Sequence, residues 1–153
     1  MGDGNRNIVF AEFIKRNFPL AKSVLVVADG NGKLSEILMS MGYNVETVEI
    51  KMRDKRAKNV KFTRKLFCRN DKITHDLIVA MHPDEATSEV VVAAKRNGIP
   101  FAVVPCCVVG YESKNVKGFD GWIKKLVQLS GGMCNMTILP ISGQNLVLYK
   151  HKY

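Results

Sequence analysis

The sequence predicts an α/β protein in which helices cover both faces of a mainly parallel β-sheet. Three observations support this fold class. Strand patterns alternate with helical patterns over most of the chain, which implies right-handed βαβ crossovers. The strand patterns are near-continuous apolar runs, as in strands buried on both faces. The last two strand patterns have no helix between them, so we expect a seven-stranded sheet that ends in an antiparallel hairpin.

The first half of the chain carries a helix and then a strand–helix–strand unit. Apolar positions near helical spacing predict a helix over Ile8–Asn17, which ends before Pro19. Ser23–Asp29 is a continuous apolar run and predicts a buried strand. Apolar residues at positions 34, 37, 38 and 41 predict a helix that Gly42 terminates, and Val45–Ile50 is the next strand.

The second half continues the alternation and then changes to the hairpin. Lys51–Lys58 is a polar, basic connector that could form a short helix. The further elements are strands at Val60–Arg64, Asp76–Met81, Phe101–Cys106, Met136–Ile141 and Asn145–Lys150, and helices at Glu85–Asn97 and Phe119–Val127. Only Ser142-Gly143-Gln144 separates the last two strands, which predicts a tight turn.

Length and composition are those of one folded domain over residues 1–153, with 46% hydrophobic and 24% charged residues. No apolar run reaches the roughly 18 residues of a membrane span, and the N-terminus has no apolar segment typical of a signal peptide. Four cysteines are too few for a disulfide scaffold. We therefore expect a cytoplasmic protein without a membrane partner.

The net charge is +9, which favours a polyanionic partner such as RNA. The basic side chains cluster in the segment Lys51–Lys65, at Lys51, Arg53, Lys55, Arg56, Lys58, Lys61, Arg64 and Lys65. This segment could hold an RNA backbone electrostatically. The alternative is a solvated basic face. Only Phe62 and Phe67 offer aromatic rings for base stacking, and nothing in the sequence indicates DNA.

The most informative segment is a glycine-containing loop, residues 28–35 (ADGNGKLS), between a predicted buried strand and a helix. Its glycines permit a sharp turn and the close approach of a ligand. The helix N-terminus offers N–H groups to a carboxylate or a phosphate. Glu49 follows about 20 residues later at a strand end, where a carboxylate can accept both ribose hydroxyls of an adenosine. The alternative is a tight turn beside a solvated Glu49.

The stretch VLVVADGNGKLSEILMSMGYNVETVEI resembles motifs I and II of the class I S-adenosylmethionine-dependent methyltransferases. The terminal MTILPI–SGQ–NLVLYK is similar to the sixth and seventh strands of that fold. The resemblance covers Ser23 to Lys150 and implies a three-layer Rossmann-like sandwich that binds S-adenosyl-L-methionine. A nicotinamide-dependent enzyme is the competing interpretation, but Ser35 replaces its third glycine and its fold lacks the hairpin.

The resemblance also implies where the cofactor contacts the chain. The methionine part would contact the glycine loop, at Asp29, Gly30, Asn31 and Gly32. Glu49 would hold the ribose, next to Ile50, and residues near Arg64 and Lys65 would approach the adenine. The polar N-terminal segment from Gly2 to Asn7 could close over the cleft, with Arg6 on the cofactor carboxylate. The alternative for that segment is a frayed terminus.

The end of the fourth strand, Met81-His82-Pro83-Asp84, corresponds in that family to the motif where acceptor and cofactor meet. Met81 and His82 would lie beside the reacting sulfonium. His82 or Asp84 could remove a proton from the acceptor. The alternative is a structural turn in which Asp84 caps the next helix. His-Pro-Asp departs from the Asn/Asp-Pro-Pro-Tyr/Phe sequence of nucleic-acid amino methyltransferases, so methylation of exocyclic amines loses support.

Two adjacent cysteines, Cys106 and Cys107, end the fifth strand at the same edge of the sheet. Buried structural cysteines are the commonest case. Otherwise Cys106 could act as a thiolate nucleophile or line the acceptor pocket. A metal site formed by both cysteines and His82, with Cys68 or Cys134 as an optional further ligand, is a third option, although adjacent cysteines lack the usual ligand spacing. The Val-Pro-Cys-Cys sequence also resembles a set of methyltransferase-like proteins, some of which are linked to tRNA modification.

Two functions therefore stay open. The first is a minimal methyltransferase with an unknown acceptor, with RNA as one option. The second is a methyltransferase-like module that binds RNA or protein without catalysis. The short chain and Ala28, at a position where the family often carries an acid, favour the second.

Overall fold

The computed structural model describes residues 4–51 and 58–152, and within them it contains each strand and each of the four long helices that the apolar pattern predicts, although strands five and six end earlier than predicted. The strands are β1 (Ser23–Val27), β2 (Asn44–Glu49), β3 (Lys61–Arg64), β4 (Leu77–Met81), β5 (Phe101–Val104), β6 (Asn135–Ile138) and β7 (Leu146–Lys150). The helices are α1 (Arg6–Asn17), α2 (Lys33–Ser40), α3 (Ala86–Asn97) and α4 (Gly118–Leu129), with a 3-10 turn at Tyr111–Ser113.

The strands form one seven-stranded sheet in the order β3-β2-β1-β4-β5-β7-β6. The pairs from β3 to β5 are parallel, and β7 pairs antiparallel with both β5 and β6. This order confirms the predicted mostly parallel sheet with an antiparallel end. It also places a topological switch point between β1 and β4, because the chain builds outward from this pair in opposite directions.

Alternate residues of each central strand face the two helical layers. On β1, Val24 and Val26 pack with α1 and α2, while Leu25 and Val27 pack with α3 and α4. The first layer buries the aromatic face of α1, and the second layer buries Trp122 of α4 completely. Burial on both faces explains why the strands read as continuous apolar runs.

The connection between β6 and β7 is longer than the predicted three-residue turn. It covers residues 139–145, and within it Leu139 and Ile141 are buried against the α1–α2 layer. The backbone N–H of Leu139 still donates to the carbonyl of Asn145 at 2.8 Å. The prediction of a tight hairpin turn was therefore wrong, because these two apolar side chains extend the connection into the core.

Within residues 4–51 and 58–152, none of the helices has both the length and the apolar surface needed to cross a bilayer. The predicted short helix over Lys51–Lys58 lies almost entirely outside the described residues.

Candidate functional site

A cleft of about 610 Å³ opens at the carboxyl ends of β1, β2 and β4, at the switch point of the sheet. Ligands of open α/β sheets bind at this place. Of the residues for which the sequence predicts cofactor contacts, Asp29, Gly30, Asn31, Glu49, Ile50, Met81 and His82 line the cleft. Two others, Gly32 and Arg64, are not among the residues that line it. Gly32 is instead the N-cap of α2, and Arg64 Nε donates to the carbonyl of Ile50 at 3.3 Å.

The carboxylate of Glu49 joins the end of β2 to the glycine loop. The backbone N–H of Gly30 donates to its Oε2 at 3.0 Å, and the N–H of Lys51 donates to its Oε1 at 3.1 Å. Gly30 has a φ of 64°, a left-handed conformation that glycine adopts without strain. A carboxylate offers about four lone-pair sites, so both oxygens of Glu49 retain capacity for a ligand.

The carboxylate of Asp29 satisfies the N-terminus of α2. It accepts the N–H of Ser35 at 2.8 Å and that of Leu34 at 3.3 Å. Burial raises the pKa of Asp29 above its ordinary value, and the hydrogen bonds with Ser35 oppose that increase. Asp29 thus lines the cleft with its carboxylate already engaged, and this engagement fixes the position of the loop.

The backbone at the end of β4 is strained. His82 and Asp84 have φ values of 51° and 53°, in the left-handed region that residues other than glycine rarely adopt. Pro83, between them, is buried. The N–H of His82 donates to the carbonyl of Val104 on β5 at 2.9 Å. Strain of this kind, of about 1–3 kcal/mol per residue, concentrates at ligand-binding sites.

The ring of His82 is held by the connection between β6 and β7. Its Nε2 lies 3.0 Å from the backbone carbonyl oxygen of Gln144. Because a carbonyl only accepts hydrogen bonds, Nε2 carries the proton in the neutral ring. Nδ1 therefore keeps its lone pair and is the atom that could accept a proton.

The side chain of Asp84 contacts the adjacent cysteines Cys106 and Cys107 and does not cap α3. Because β5 ends at Val104, these cysteines follow the strand and do not end it as the sequence predicted. Cys106 Sγ donates to Asp84 Oδ1 at 2.9 Å, and Cys107 Sγ donates to the same oxygen at 3.5 Å. The N-cap residue of α3 is Glu85, whose side chain makes no capping hydrogen bond. The interpretation of Asp84 as a side-chain cap was therefore wrong.

The surroundings of Cys106 do not favour a thiolate. Burial, followed by the hydrogen bonds with Asp84 and Cys107, raises the pKa of Cys106 to about 12. Asp84 lines the cleft, but neither cysteine does. The sequence-based role of Cys106 as a nucleophile stays a prediction, and its environment argues against it.

Two parts of the cleft lining differ from the sequence-based prediction. Arg6 and Asn7 reach it from the first turn of α1, so Arg6 belongs to a helix and not to the polar segment before it. Leu66 and Phe67 line it after β3, with Leu66 72% exposed and Phe67 5% exposed. The sequence signal for this wall is an apolar pair that begins two residues after the end of a strand. Gly2 and Asp3 of the predicted lid lie outside the described residues.

The basic segment is partly described. Arg53, Lys55 and Arg56 lie outside the described residues. Lys51 and Lys65 line the cleft, and Lys65 Nζ pairs with Asp71 at 2.9 Å. Lys61 Nζ lies 3.8 Å from Glu46. The described basic side chains are thus in part neutralised by carboxylates of the protein.

No protein-family model and no curated protein match this sequence, but solved structures match its fold. CalS10, an amino pentose methyltransferase from Micromonospora echinaspora bound to SAM, superposes with a TM-score of 0.64 at 11% identity, over 95% of this chain and 89% of CalS10. A TehB-like SAM-dependent methyltransferase from Corynebacterium glutamicum gives a TM-score of 0.61 at 14% identity, over 95% and 88% of the two chains.

A third match, PigF with SAH, has a TM-score of 0.60 at 15% identity and covers 97% of this chain. The chain spans roughly half of the length of several structures it matches, including 56% of PigF. These likenesses confirm the class I methyltransferase fold that the resemblance implies.

Proposed function

We propose that this protein binds S-adenosyl-L-methionine in the cleft and transfers its methyl group to an acceptor. The observation that carries the proposal is the position of Glu49. On a fold shared with SAM-dependent methyltransferases, its carboxylate lies against the glycine loop at the wall of the cleft. The cleft of about 610 Å³ also lies within the range of about 300–1,000 Å³ that is typical of small-molecule sites.

The lining residues match the chemistry of the proposed cofactor. Glu49 retains acceptor capacity for ribose hydroxyls. Arg6 and Lys51 supply positive charge for a carboxylate, and Leu66 with Phe67 supplies an apolar wall for an adenine ring. The residues present therefore fit the group.

The cofactor supplies an activated methyl group on a positively charged sulfur. The protein's part is to hold the acceptor in line with that group. If the acceptor loses a proton, Nδ1 of His82 is placed to receive it, because Nε2 is engaged with Gln144.

We propose RNA as the acceptor class, because the net charge is +9 and the exposed Lys51 lies at the cleft. Small-molecule acceptors are the second class to be tested, because CalS10 is an amino pentose methyltransferase.

The test is transfer of label from methyl-labelled S-adenosyl-L-methionine to separated RNA, protein and small-molecule fractions. We expect one fraction to be labelled by the wild type and by Glu46→Ala, and not by Glu49→Ala. Glu46 lies on the same strand and outside the cleft lining, so it is a matched control. Saturable cofactor binding without labelling of any fraction would instead support the non-catalytic module. Absence of binding would refute the proposal.

A further inference from the structure

We propose that Asp84, Cys106 and Cys107 form a binding site for a thiophilic divalent cation of the zinc class, with one coordination position left open. The sulfur and carboxylate ligand atoms of the three residues all lie within 4.8 Å of one another. Among the residues that the structure describes, no other group of three or more histidine, cysteine or acidic side chains brings its ligand atoms this close together.

The register of two parallel strands brings these residues together. Met81 at the end of β4 pairs with Val104 at the end of β5. Asp84 follows the first of these strand ends, and the two cysteines follow the second. The adjacent cysteines lack the usual spacing of metal ligands, yet their sulfurs lie 3.4 Å apart on the same side of the chain.

The distances are close to those of a tetrahedral ion. Bond lengths of about 2.3 Å to sulfur and about 2.0 Å to oxygen give edges of about 3.8 Å between sulfurs and about 3.5 Å between sulfur and oxygen. The observed distances are 3.4 Å between the sulfurs and 3.5 Å from Cys107 Sγ to Asp84 Oδ1. The distance from Cys106 Sγ to that oxygen is 2.9 Å, so this pair must move apart when an ion replaces the shared proton.

The local charge favours a cation. Two thiols point their protons at a single carboxylate oxygen. On binding, each thiol loses its proton to water, and two thiolates and one carboxylate then neutralise the ion without any change of oxidation state. Asp84 has a left-handed backbone conformation, with a φ of 53°. Backbone strain of this kind is found where a functional side chain must be held in one orientation.

The structure changes the ligand set that the sequence suggested. His82 is engaged with the carbonyl of Gln144 and is not in the group. Cys68 and Cys134 are free thiols outside it. Three protein ligands with an open fourth position are typical of catalytic rather than structural zinc. Two of the three residues, Asp84 and Cys107, are exposed, so water can fill that position.

The first test is titration of the reduced protein with cobalt(II), followed by displacement with zinc. We expect sulfur-to-metal charge-transfer absorption at one equivalent and intense visible bands of a tetrahedral ion. Replacing both cysteines by serine should abolish the charge-transfer absorption, and Asp84→Asn should weaken zinc binding by at least about tenfold. Cys134→Ser, which changes a half-buried thiol outside the cluster, should leave both readouts unchanged. Charge-transfer absorption that persists in the double variant would overturn the proposal.

A second test uses only the wild-type chain and does not depend on the folding of variants. One equivalent of zinc should slow alkylation of Cys106 and Cys107 at least tenfold, as followed by peptide mass spectrometry. The exposed Cys68 should react at the same rate with and without zinc. Equal alkylation rates of the adjacent cysteines with and without zinc would contradict the site. Neither test requires S-adenosyl-L-methionine, so the metal site can fail or hold independently of the proposed methyl transfer.

Discussion

Removal of the Glu49 carboxylate should weaken cofactor binding more than any other single change in the cleft. Charge-assisted hydrogen bonds contribute about 1.5–3 kcal/mol each. Loss of two such bonds to ribose hydroxyls therefore costs at least about 3 kcal/mol, which is roughly a 150-fold weaker Kd. Glu49→Ala also removes the acceptor for the Gly30 and Lys51 N–H groups, so the glycine loop loses its tie to β2. Glu49→Gln keeps one neutral acceptor oxygen, so its Kd for the cofactor should rise by only about tenfold.

Isothermal titration calorimetry with S-adenosylhomocysteine measures this prediction. Glu46→Ala is the matched control, because Glu46 lies on β2 and pairs with Lys61 and His75 instead of lining the cleft. Its Kd should stay within about twofold of the wild type. The reasoning is refuted if Glu49→Ala and Glu46→Ala bind equally well while both remain folded by circular dichroism.

Three further predictions concern charge and packing. Arg6→Gln should weaken binding of S-adenosylhomocysteine about tenfold in calorimetry, because the variant loses a charge at the cleft, whereas Arg16→Gln at the far end of α1 should not. In urea unfolding, Trp122→Ala should lower the free energy of unfolding by about 3–5 kcal/mol. Trp122→Phe should lower it by less, because phenylalanine keeps part of the buried ring surface and the indole Nε1 has no partner among the described residues. Hydrogen bonds from the Lys22 and Ser23 N–H groups lower the pKa of Asp76 below its ordinary 3.8, so its stabilising contribution is complete above about pH 4 and is lost as the pH falls. Urea unfolding should therefore show a steeper loss of stability below about pH 4 for the wild type than for Asp76→Asn, and parallel curves would contradict this assignment.

The sheet and the place of Glu49 could be predicted from the sequence because both depend on local pattern and spacing. Strands buried on both faces, such as β1, are continuous apolar runs, and Glu49 ends the next strand 19 residues after Gly30. The parallel pairing of β1 with β2 brings the ends of these two strands side by side, and the N–H of Gly30 then lies 3.0 Å from the Glu49 carboxylate.

The partners of Asp84 and His82 could not be predicted because they depend on contacts between distant segments. An aspartate that follows proline before a helix has the local pattern of a cap. Asp84 instead meets Cys106, 22 residues away, and His82 meets Gln144, 62 residues away. The connection after β6 was predicted wrongly for the same reason, since the burial of Leu139 depends on helices from the other end of the chain.

The most direct test of the central claim is amide chemical-shift mapping of the ¹⁵N-labelled protein during titration with S-adenosylhomocysteine. Binding in the cleft predicts saturable shifts at Gly30, Asn31, Ile50 and Met81, at the carboxyl ends of three strands. The edge strand β6, with its exposed Met136 and Ile138, should remain unchanged. Shifts that do not saturate, or that map to β6 instead, would contradict the assignment of the cleft as the cofactor site.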